Sequence, residues 1–140
     1  MSAGTGIEHS EFNPSRSEPV HLYQIWLLPD RRGHTPDYAQ QAFPLEGRRG
    51  RWQTIVSPDG SGGSLSMHQD ARILLADLKP GELVRHAFGK GRKGWLQTLK
   101  GQVLIGATQL HAGDGVAIAN EPALEVSGVN AAELMLFDLP

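Results

Sequence analysis

Apolar residues in this chain fall into short, β-rich runs, and no long stretch sustains the i, i+3, i+4, i+7 spacing of an amphipathic helix. The runs are Leu22 to Leu28, Thr54 to Val56, Ile73 to Leu78, Trp95 to Leu99, Val103 to Ile105, Val116 to Ile118 and Leu134 to Phe137. Turn chemistry bounds them, at Pro29-Asp30, Pro58-Asp59-Gly60, Lys79-Pro80-Gly81 and Ala112-Gly113-Asp114-Gly115. Short strands with turn signals roughly every 8–12 residues predict an all-β sandwich or barrel. On this pattern Leu104 and Ile118 are expected as core positions.

The pattern also divides the chain. Residues 1–50 read as N-terminal strands and a linker, with two strands over 1–28 and an irregular, Pro- and Arg-containing connection over 29–50. Residues 51–140 hold enough strands for one complete small barrel. The apolar side chains Ile7, Phe12, Leu22, Ile25, Trp26 and Leu27 of the N-terminal strands still need burial. Open strand edges and unburied apolar surface favour pairing with a second copy, so a homodimer through the N-terminal strands is expected.

Composition narrows the function classes. The chain has 140 residues, 13 Lys and Arg against 15 Asp and Glu, and a formal charge of −2. Charges of both signs are spread along it, which argues against direct binding of nucleic acid or an acidic membrane. There is no cysteine, hence no disulfide, thiolate nucleophile or Cys-based zinc site. No basic n-region precedes an apolar run at the start, and no apolar stretch approaches the ~20 residues of a membrane helix. A cytoplasmic location is the expectation.

His9 and Glu11 are the first candidates for chemistry. In an extended segment a His-X-Glu step puts both side chains on one face, and an imidazole nitrogen beside a carboxylate oxygen suits Fe, Mn, Ni, Cu or Zn. Two donors are a partial site, because catalytic metals generally take three from the protein. Other candidates have plainer readings. His86, followed by Phe88, and His111, in the turn before Gly113-Asp114, each lack convergent partners and read as hydrogen-bonded or surface residues. His68 and Asp70 offer an Asp-oriented base, but no nucleophile motif accompanies them, so a structural hydrogen-bonding pair near a strand start is favoured. Gly60-Ser61-Gly62-Gly63-Ser64 lacks the lysine and the following helix of a phosphate loop. Gly89-Lys90-Gly91-Arg92-Lys93-Gly94 reads as a hairpin tip kept soluble by charge. Trp26, Trp52 and Trp95 read as core or barrel-mouth packing, positions where a flat aromatic ligand can also stack.

Several stretches together carry a family resemblance. They are Met1 to Asn13, Leu22-Tyr23-Gln24-Ile25-Trp26-Leu27, Tyr38, Phe43, Ser57-Pro58-Asp59-Gly60, His68-Gln69-Asp70, Trp95-Leu96-Gln97, Lys100-Gly101, Ala112-Gly113-Asp114-Gly115 and Glu133 to Leu139. In this order they resemble the pirin family of two-barrel cupin proteins. The resemblance implies a cupin-type jelly roll over 51–140, preceded by two strands left over from a missing first barrel. It also implies a non-haem metal held by three His and one Glu, of which His9 and Glu11 match the last two. The first two, an earlier His-X-His, have no counterpart in this sequence. No cofactor is therefore expected in the isolated chain, with Fe, Ni, Cu, Mn or Zn bound if another chain completes the site. The favoured reading is a non-catalytic binding or interaction module. The alternative is a metal-dependent quercetin 2,3-dioxygenase-type oxidoreductase, in which Glu11 is both ligand and candidate catalytic base. Partners implied by the resemblance are a pirin N-terminal barrel or a transcription factor. In a two-fold dimer, two His9-X-Glu11 pairs facing each other would offer four donors to one metal.

Overall fold

A computed structural model describes residues 1–140, and ten strands account for nearly all of its regular structure. They are β1 (Gln53–Ser57), β2 (Leu65–Ser66), β3 (Arg72–Leu78), β4 (Leu83–Ala87), β5 (Lys93–Lys100), β6 (Gln102–Ile105), β7 (Thr108–His111), β8 (Gly115–Ile118), β9 (Ala123–Gly128) and β10 (Ala132–Leu139). One sheet runs β2-β1-β3-β10-β5-β8 and the other β4-β9-β6-β7. Two facing sheets with non-sequential neighbours make the jelly roll that the sequence leads one to expect.

The core lies between the sheets because strand side chains alternate. Leu96, Val103, Val126, Leu134 and Leu136 are completely buried there, joined by Leu74, Leu78, Val84, Ile118 and Leu124. Ile118 is thus a core residue as expected, but Leu104 is not. Val103 takes the inward position of β6, and a one-residue step in register sends Leu104 to the opposite face. A continuous run such as Val103-Leu104-Ile105 carries no polar position to mark which face is inner.

β10 is apolar on both sides. It pairs antiparallel with β3 and with β5, so it sits in the interior of its sheet. Leu134 and Leu136 point into the core, while Met135 and Phe137 point outward and join Ile73 in a second cluster edged by Ile55, Val56, Leu75 and Leu139. The turn between β5 and β6 depends on Gly101, at φ +75°, whose missing side chain lets the backbone lie against Asn130 and Ala131 just before β10.

The two strands expected over residues 1–28 do not form. Strands begin at Gln53, and the earlier chain has only isolated bridges, Ser2 with Asp37 and Arg49 with Asp77, and a short 3-10 turn at Leu45–Gly47. A strand needs a partner for its backbone groups, and no neighbouring strand of this chain is aligned with that segment. Its apolar side chains accordingly stay in water, with Phe12 81%, Trp26 88% and Leu28 84% exposed. The Gly89–Gly94 stretch is also not a hairpin tip. β4 and β5 lie in different sheets, so the segment crosses from one sheet to the other. No helix is long and apolar enough to cross a membrane.

Arg48, Arg49 and Gly50 run along the barrel edge at Asp77. The Gly50 N–H donates to the Asp77 carbonyl at 2.8 Å, the Asp77 N–H donates to Arg48 at 2.9 Å, and the Arg48 guanidinium reaches the Asp77 carboxylate at 3.1 Å. Burial lifts the Asp77 carboxyl above the usual carboxylate range, and attraction to Arg48 only partly opposes it.

Two predictions follow from this packing. Leu136→Ala is expected to cost ~2–5 kcal/mol in chemical denaturation, and Leu104→Ala well under half of that. Because the folded state raises the Asp77 pKa, its contribution is fully present below the unfolded value of about 3.9 and is lost as pH rises through the folded value. Asp77→Asn should therefore flatten the fall in unfolding midpoint seen as pH rises from about 4.

Candidate functional site

His9 and Glu11 do converge. His9 Nε2 lies 3.8 Å from Glu11 Oε1, although the segment is irregular and not a strand. The two side chains are about one-third and two-fifths exposed, at 35% and 42%, so both face solvent. They open onto a cleft of about 850 Å³ whose walls include Ile7, Glu8, Asp37 and Tyr38. The cleft holds its shape because Ser2 and Asp37 exchange two backbone hydrogen bonds, at 2.9 and 3.1 Å, closing residues 1–11 against 36–38.

The donor chemistry fits one corner of a metal site. One imidazole nitrogen and one carboxylate oxygen are suitable first-row donors, but no third His, Asp or Glu of this chain joins them. The residues present therefore do not hold a metal by themselves. Gln24, to which sequence reasoning assigns no role, brings its side-chain amide to 3.4 Å from His9 Nε2, the nitrogen that faces Glu11. A contact across 15 residues of irregular chain leaves no signature in sequence spacing.

Inside the jelly roll the remaining titratable residues are engaged with one another. His86 points inward from β4, with Nε2 2.8 Å from Asp138 Oδ2, and Phe88 packs edge-on against its ring at 4.8 Å. Asp138, 3% exposed, also accepts from Arg92 Nε, while Arg92 Nη2 donates to the Asp138 carbonyl at 3.0 Å. Arg92 Nη1 then reaches both Asp70 carboxylate oxygens at 3.1 Å. Burial works against the Arg92 charge, yet hydrogen bonding and attraction to Asp138, followed by Asp70, outweigh it and raise its pKa. One of the three cations read as a solubilising tip is therefore an internal clamp.

This network also separates His68 from Asp70. The Asp70 carboxylate is committed to Arg92, and the His68 ring instead stacks on His34, so neither a base dyad nor a hydrogen-bonded pair forms. His111 sits on the surface with Nδ1 3.2 Å from the Gln102 amide, and its backbone N–H donates to Asp114 Oδ2 at 2.8 Å. It caps a turn. Trp52 packs against the core, Trp95 lines an outer groove with Met135 and Phe137, and Trp26 stands in solvent on the far side of that groove.

Comparisons with known proteins agree with this architecture. A family model described as the quercetinase C-terminal cupin domain matches residues 54–139, and one described as pirin matches residues 1–27. Quercetin 2,3-dioxygenase of Escherichia coli K12 is 43% identical over 141 residues, covering 100% of this chain and 59% of that protein. The chain thus spans about three-fifths of the length of that relative. The crystal structure of YhhW from Escherichia coli superposes with a TM-score of 0.77 at 35% identity, over 82% of this chain and 48% of that one. The structure of bacterial pirin YhhW in complex with nickel(II) gives a TM-score of 0.74 at 36% identity, over 80% and 47%.

The clamp yields a prediction. Arg92→Met leaves the Asp138 carboxylate buried without its main cationic partner and should lower unfolding stability by about 3–5 kcal/mol, measured by denaturant titration at neutral pH. A loss below about 0.5 kcal/mol would mean that the pair behaves like an exposed surface bridge.

Proposed function

Because this chain belongs to the pirin family of cupin proteins, we propose that it forms part of a metal-dependent oxidoreductase of the quercetin 2,3-dioxygenase type. His9 and Glu11 are two of the protein donors in this reading, and another polypeptide segment contributes the rest. The observation that carries it is the convergence of these two side chains at the mouth of an open cleft, within the stretch matched by the pirin family model. The relative named quercetin 2,3-dioxygenase supports this reading over a non-catalytic module.

When bound, a divalent transition metal supplies an electrophilic centre with open coordination positions. The chain's own contribution is positional. His9 presents Nε2 to the cleft once the Gln24 amide turns aside, and Glu11 presents an acceptor oxygen that can take a proton from a flavonol hydroxyl. Tyr38 and Ile7 give the cleft apolar walls beside the polar pair, a composition suited to a flat, hydroxylated aromatic substrate.

Metal analysis and oxygen uptake on quercetin test the proposal, using the chain alone and the chain combined with a pirin N-terminal barrel that carries its His-X-His. The combination is expected to hold one metal per complex and turn over substrate, while the chain alone does neither at more than background. His9→Ala and Glu11→Ala should each lower metal affinity of the combination at least about tenfold, the loss that even an outer-shell partner of a ligand brings. Turnover unaffected by both substitutions would remove these residues from the site. Failure of the combination to bind metal at all would leave the non-catalytic module in place.

A further inference from the structure

Leu28–His34 is tied to the loop preceding β3 by contacts of three kinds. The Asp30 N–H donates to the His68 carbonyl at 2.8 Å, and Gln69 Nε2 donates to the Leu28 carbonyl at 2.7 Å. The rings of His34 and His68 stack with centroids 3.8 Å apart and planes only 5° from parallel. His34 is buried and its Nε2 lies 2.6 Å from Asp30 Oδ1, whereas His68 is exposed on its other side. These contacts anchor one end of the strap Tyr23–Leu27, which borders a groove of about 460 Å³ over Trp95, Met135 and Phe137.

Charge decides how firmly such a stack holds. Two imidazoles with at most one proton too many between them attract through their faces, but two imidazolium rings under 4 Å apart repel. Asp30 compensates a charge on His34, and the hydrogen bond from His34 holds its carboxyl below the usual carboxylate range, with Arg31 acting in the same direction. Nothing equivalent serves His68. The carboxylate nearest to it in sequence, Asp70, is committed to Arg92, and no acidic side chain bonds to its ring. Charging both rings therefore sets two like charges under 4 Å apart with only the Asp30 carboxylate bonded to the pair.

We propose that the His34–His68 stack is a pH-operated latch, and that charging both rings frees Leu28–His34 and loosens the strap over the outer face of the six-stranded sheet. The latch uses neither His9 nor Glu11 and does not depend on the metal reading, although the His34 backbone packs against Gly4 in the segment that carries them. Its elements are the two histidines together with Asp30.

Hydrogen exchange of the full chain at pH 7.5 and pH 5.0, expressed as protection factors to remove the intrinsic pH effect, tests it. Protection of the Asp30 amide, the N–H of this segment that is bonded across to the loop, is expected to fall about tenfold at the lower pH, while β10 amides keep theirs. His68→Phe keeps a stacking ring without a titrating group, so its protection should be the same at both pH values. As His68 is exposed, this variant is expected to fold, and its unfolding midpoint at pH 7.5 verifies that. Constant protection in the wild type, an equal fall in His68→Phe, or loss of β10 protection alongside the strap would each overturn the latch.

Discussion

Burial of β10 on both faces is the constraint on which the barrel rests. This strand holds two neighbours by backbone hydrogen bonds, sends Leu134 and Leu136 into the core, and lays Met135 and Phe137 on the outer cluster. Its last inward position is Asp138, a carboxylate where the alternation calls for an apolar side chain. A buried charge there is tolerable only when paired and hydrogen-bonded, and His86 and Arg92 supply both. Arg92 in turn draws the crossing between the sheets against the start of β3 through Asp70. One polar position thus ties four separated parts of the chain together at one end of the barrel.

The fold was legible where a strand contains a cluster of apolar and β-branched residues. β1, β3, β5, β6, β8 and β10 each contain one of the runs picked out by composition. β4, β7 and β9 do not, because each alternates polar and apolar residues over only four to six positions, as in Thr108-Gln109-Leu110-His111. All three lie in the smaller sheet, where one face is solvated and only half the residues need be apolar. The run at Leu22 to Leu28 misled in the opposite sense. β-propensity measures fit to a half-buried pleated surface, and without a partner strand that surface does not exist.

Legibility of the candidate site divides the same way. His9 and Glu11 are two residues apart, so their meeting follows from local geometry and the motif announces it. The contacts of Arg92 span 22 residues to Asp70 and 46 to Asp138, and His86 reaches across 52. Such meetings are decided by strand order, which hydrophobic pattern alone does not specify. The stacked pair His34 and His68 belongs to this second class. Each reads as an ordinary polar residue until the chain is folded.

The central place of β10 also has a consequence for how the protein comes into being. β3 and β5 are synthesised well before it, yet they do not pair with each other, and both wait for the strand that separates them. A nascent chain on the ribosome therefore carries two unpaired apolar edges until β10 emerges. Most of the contacts that close the larger sheet are remote in sequence, which favours slow, late assembly and exposes the growing chain to pairing with its neighbours.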